Sequence, residues 1–195
     1  MKVVLDPGMV TDGAVARLRV GDEWRVDLVF VPTAPRPVEH RADVGMWPIA
    51  RVGHDPTPQY YLVGRLHRFD HDDSGHGLVA LEAPDALFAL GASTAVPDSD
   101  DVHGDGFVRV DPWQFDPSRD SPFRRTGTIE GILRHRAPAR AGADGRFLAD
   151  WSRGESERVE QILPHLDFPL RRKFTGFYEV AIHLDAPRTA LEGTG

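Results

Sequence analysis

FYEVAIHLD, residues 177–185, sets Tyr178, Val180, Ile182 and Leu184 on one side of an extended chain and Glu179, Ala181 and His183 on the other. Alternation at period two marks a half-buried strand, because successive side chains point to opposite faces. The same period recurs upstream. TGTIEGILRHR (126–136) places Ile129 and Leu133 opposite Thr128, Glu130 and Ile132, and the segment from Trp24 groups Trp24, Val26, Leu28 and Phe30 before Pro32 stops it. YYLVGRLHRF (60–69) carries apolar residues on both faces, and its Gly64 marks a bulge or a close backbone approach. GLVALE (77–82), reached through a hairpin loop, and FVRV (107–110) complete the strand set.

At least six strands joined by turns predict an all-β or β-rich α+β fold, an antiparallel small barrel or sandwich with one or two short helices. Pro84, the apolar set Leu87, Phe88 and Leu90, and Gly91 suggest a helical turn. A second helix is expected from Ser152, where Ser152 and Glu155 have capping-box spacing and Val159, Ile162, Leu163 and Leu166 follow at helical spacing, with Pro164 cutting the helix short. A single domain over 1–195 is expected. PTAPRP (32–37) and DPWQFDPSRDSP (111–122) are linker candidates, and the second suggests a possible subdivision near residue 120, between an acidic half (1–120) and a basic half (121–195).

Charge supports that division. The net charge of −7 over 195 residues resolves into 20 acidic against 11 basic residues before position 121, and 10 against 12 after it. An acidic chain is a poor general binder of nucleic acid, whose phosphates demand concentrated Lys and Arg. Cysteine is absent, which excludes disulfides, thiolate metal sites and cysteine nucleophiles. No apolar run reaches the length of a membrane-spanning helix, and MKVVLDPGMV lacks a secretory core, so a soluble cytoplasmic protein is expected.

Phosphate-loop, nucleophile-elbow and S-x-x-K motifs are missing. Asp98, Asp100, Asp101 and Asp105 read as a polar loop outside the EF-hand pattern. His67, His71 and His76 with Asp70, Asp72 and Asp73 lack zinc-site spacing, and the expectation is no metal and no cofactor. Glu82, Glu130 and Glu179 fall in strands, and one of them facing inward would have its pKa raised by desolvation toward acid–base work.

The candidate binding residues are aromatic and arginine: Trp47, Tyr60, Tyr61, Trp113, Phe123, Arg124, Arg125 and Arg134. Aromatic faces beside guanidinium groups are common interface anchors, with core packing as the competing use of the same side chains. GDEWRVDLVF (21–30), TGTIEGILRH (126–135) and TGFYEVAIHLD (175–185) together resemble the layout of uncharacterised actinobacterial β-rich proteins, which implies a β-rich fold and carries over no function and no catalytic residue.

The expected role is a non-catalytic binding or accessory interaction module, its partner a protein or a small apolar ligand, with no membrane contact. One alternative is a small-molecule-binding β-barrel, an enzyme or carrier using Tyr60, Tyr61, Glu130 or His67. A second is a weak binder of single-stranded nucleic acid.

Overall fold

A computed structural model describes residues 1–5, 10, 15, 17–38, 43–51, 53–69, 78–84, 86–90, 96–110, 123–141, 147–163 and 174–185. Among these residues twelve strands join one sheet. They are β1 (Lys2–Leu5), β2 (Glu23–Pro32), β3 (Arg36–Pro37), β4 (Gly45–Ile49), β5 (Gln59–Phe69), β6 (Leu78–Ala83), β7 (Ala86–Leu90), β8 (Asp101–Val110), β9 (Arg124–Ala141), β10 (Phe147–Ala149), β11 (Glu155–Val159) and β12 (Phe174–Leu184).

Eight of them close a barrel in the order β9, β12, β1, β8, β5, β6, β7, β2 and back to β9. The β1–β8 and β2–β7 contacts are parallel and the rest of the ring is antiparallel, while β2 and β8 also pair directly. Closure removes the unpaired sheet edges that invite association. The β2–β9 and β1–β12 ladders join residues on either side of position 120 within this one sheet.

Alternation works here as the sequence implies. Tyr178, Val180 and Ile182 of β12 point inward with Val3 and Leu5 of β1 and Ile132 of β9, in one cluster with Leu28, Phe30, Leu62 and Phe88. Each such side chain stabilises the fold by roughly 1.5–3 kcal/mol when fully buried. A smaller cluster of Val29, Ala80, Ala89 and Phe123 lies apart from it. Gly64 is a close approach: a Cβ there would stand 2.5 Å from the Glu82 carbonyl oxygen of the neighbouring β6.

Three local expectations give way. The expected helix from Ser152 is a 3-10 turn (Trp151–Arg153) followed by strand β11, because residues 155–159 find a ladder on β9 that offsets a weak helical preference. Ser152 Oγ donates to Asp150 Oδ1 at 2.5 Å instead of capping a helix. The helical turn expected around Leu87 is strand β7, held between β6 and β2. The aspartate-rich loop is a loop only as far as Asp100, since Asp101 and Asp105 belong to β8, whose alternating burial continues to Val110. The linker candidate 111–122 lies outside the described residues, and the end of PTAPRP forms β3 against β8. No described helix is long and apolar enough to cross a membrane.

Candidate functional site

With Tyr178 and Val180 turned into the barrel, the residue between them must face the other side of the wall. Glu179 does so, opposite Val4 of β1 and Leu133 of β9, yet its side chain is only 2% exposed. A carboxylate cannot be left bare in such a place, since the desolvation of an unpaired ion costs several kcal/mol. Three groups meet it. Lys2 Nζ stands 2.7 Å from Oε1, Arg51 Nη2 2.5 Å from Oε2, and His135 Nε2 3.5 Å from Oε2. Burial alone would push the Glu179 carboxyl up. The contacts from His135 and Lys2, with the charges of Lys2 and Arg51, outweigh it and hold the pKa down at about 2. Glu179 thus lies on the outer face of the wall and not inward, and it is kept ionised instead of becoming a weak acid, because cations cover it.

His135 is itself buried, opposite Phe177 in the β9–β12 ladder, with ring centroids 4.8 Å apart. Trp151 packs edge-on against Phe177 at 5.7 Å. On its far side His135 Nδ1 lies 2.7 Å from Ser156 Oγ, a hydroxyl on the exposed strand β11. Strand pairing explains the contact, because Ser156 is the partner of His135 in the β9–β11 register.

Tyr60 adjoins the same cluster from β5. Its hydroxyl accepts from the Lys2 N–H at 2.7 Å and donates to the Lys2 carbonyl at 3.1 Å. Burial, with a smaller push from the Glu179 charge, raises the phenol above its ordinary pKa despite the opposing effect of the Lys2 backbone hydrogen bond. Tyr60 and Lys2 also line a cleft of about 580 Å³, with apolar Met46, Pro48 and Leu184, and charged Arg125, Glu130 and Asp185. The β9–β12 register shifts there: Ala181 faces Gly131 and Ile182 faces Ile129, which leaves Glu130 as the extra residue of a bulge.

The aromatic and arginine residues named from the sequence divide among several places. Tyr60 and Arg125 share the cleft, where Arg125 Nη2 donates to the Asp185 carbonyl oxygen. Trp47, 44% exposed, packs beside Tyr61 at 6.2 Å, and Tyr61 in turn hydrogen-bonds His103 Nδ1 at 3.0 Å. Phe123 is fully buried in the smaller core cluster, so it contributes to packing and not to a surface. Arg124 pairs with Asp27 at 3.0 Å, and Arg134 pairs with Glu157. Trp113 lies outside the described residues, as do His71 and His76, while His67 Nε2 sits 2.6 Å from Glu82 Oε2.

Lys2, Arg51, His135 and Ser156 carried no signal in the sequence beyond their residue types. Lys2 and Glu179 come from opposite ends of the chain, and only the β1–β12 ladder brings them together. No family model, curated protein or solved structure matches this chain.

Proposed function

We propose that this protein is a binding module that takes a small, largely apolar molecule in the cleft beside Tyr60. The observation that carries the reading is a division of space. The barrel interior is filled by large side chains such as Phe30, Phe88 and Tyr178, whereas the cleft offers about 580 Å³, within the range that encloses small ligands. Met46, Pro48 and Leu184 suit an apolar body, and Lys2, Arg125 and Glu130 suit polar groups at its end. Two residues expected to bind, Tyr60 and Arg125, fall here, and so does Glu130 from the small-molecule alternative.

A protein partner is a second reading, favoured by the half-exposed Trp47 stacked beside Tyr61 on β4 and β5. Nucleic acid has less support, because Arg124 and Arg134 already answer Asp27 and Glu157.

The test is titration with anilinonaphthalene sulfonate, an apolar fluorophore with one anionic group. The folded protein is expected to enhance its fluorescence, and Leu184→Arg is expected to weaken binding at least about tenfold while circular dichroism stays unchanged. A folded protein that gives no enhancement, or a folded variant that binds as well as the parent, would count against the cleft.

A further inference from the structure

Ser156, His135 and Glu179 lie on three adjacent strands along the outer face of the barrel wall, with Ser156 Oγ 2.7 Å from His135 Nδ1 and His135 Nε2 3.5 Å from Glu179 Oε2, a separation too poorly aligned to count as a hydrogen bond. We propose that Ser156 is the nucleophile of an acyl-transfer site that hydrolyses carboxylic esters, with His135 as its base and Glu179 as a positioning residue. Such a constellation is recognised by geometry and by the role of each member, whatever their order in the chain. Here the order is histidine, serine, glutamate.

The roles follow from the contacts. Glu179 is held ionised by Lys2 and Arg51, and its charge 3.5 Å from Nε2, a nitrogen that has no hydrogen-bond partner, favours the proton on Nε2 of the neutral imidazole through the field and not through a formed hydrogen bond. Nδ1 then carries the lone pair and accepts from Ser156 Oγ at 2.7 Å, the arrangement a general base requires. Phe177 against one side of the ring fixes its orientation. Ser156 lies on β11, which pairs only with β9 among the described residues, so a substrate can approach the hydroxyl from solvent.

The chemistry balances without a co-reactant other than water. Oγ bonds to the ester carbonyl carbon as its proton passes to Nδ1. The bond from that carbon to the alkoxy oxygen then breaks, and the alcohol leaves with the proton from Nδ1. Water attacks the acyl-serine, gives a proton to Nδ1, and Oγ recovers that proton as the acid departs. The site goes beyond the binding reading and is independent of it, since Ser156 is not among the residues that line the cleft.

The experiment treats the full chain with an alkyl fluorophosphonate and maps the adduct by mass spectrometry. The expected result is a single adduct on Ser156 of the folded protein, absent from Ser156→Ala and formed at least about 100-fold more slowly in His135→Gln. Glu179→Gln is expected to lower the maximal labelling rate while leaving the half-saturating probe concentration unchanged, a split that a merely structural role would not produce. Because His135 is buried against Phe177 and its replacement threatens the fold, the parent protein carries the decision by itself. No adduct at Ser156, or labelling no faster in the folded chain than in urea, overturns the proposal.

Discussion

Glu179 stays charged in a place where water does not reach it, and its charge is therefore tied to the folded state. Its carboxyl falls from an ordinary 4.5 to about 2 on folding, so the unfolded chain binds the proton more readily. A depressed carboxyl contributes stability that is complete above about 4.5 and lost as the pH falls toward about 2. Lys2 and Arg51 are partly hydrated, which reduces the effect to the order of 2 kcal/mol. Acid unfolding followed by tryptophan fluorescence should show this loss in that window, and Glu179→Gln should flatten it while lowering stability at neutral pH.

Tyr60 gives a second residue-scale expectation. Tyr60→Phe strips the Lys2 N–H and carbonyl of their shared partner and should cost about 1–2 kcal/mol in urea unfolding, against no change if the hydroxyl is idle. At this scale the sequence was only partly informative. It named Glu179 alongside Glu82 and Glu130, but all three sit in alternating strands, and the cations that single out Glu179 arrive from Lys2 and Arg51 at other parts of the chain. Glu82 and Glu130 remain partly exposed.

Strand β8 shows how an element is fixed by a single position. Its first part pairs with β5 and its second with β2, and Gly106 belongs to both ladders, opposite Tyr60 on one side and Pro32 on the other. A Cβ at Gly106 would run into the Val31 carbonyl oxygen and stand 2.8 Å from Pro32 Cα. These are backbone atoms and cannot rotate away. Gly106→Ala should therefore cost about 2 kcal/mol or more in thermal or urea unfolding, and a neutral result would mean that the β2–β8 contact is looser than described. Element type was legible where the period was two, as in β2 and β12, and where both faces were apolar, as in β5. It failed at β7 and β11, where capping residues and short apolar sets imitate a helix. The long β9 offers a pairing edge that local sequence does not reveal, and Glu155–Val159 takes it.

At the scale of the molecule, β1 lies between β12 and β8 and so links the last long strand to the middle of the chain. Native-state hydrogen exchange should protect the amides that β1 and β12 share to a similar degree, because neither strand can open without exposing the other. Exchange in β1 many-fold faster than in β12 would show the ring to be open at that seam. An all-β barrel or sandwich was readable from alternation and turns, and closure into a barrel is what the structure adds. The ring order was not, since its pairings are long-range and leave no trace in spacing.

Glu179 stands at that same seam, where Lys2 of β1, Arg51 and His135 of β9 converge on a residue of β12. Carbon-13 NMR of the glutamate side-chain carboxyls, with Glu179→Gln to assign the resonance, follows this charge directly through an acid titration. The carboxylate signal should hold its ionised shift through the ordinary glutamate range and move only toward about pH 2. A midpoint at or above 4.5 would mean that the cations do not cover it, and the account of the barrel wall would fail.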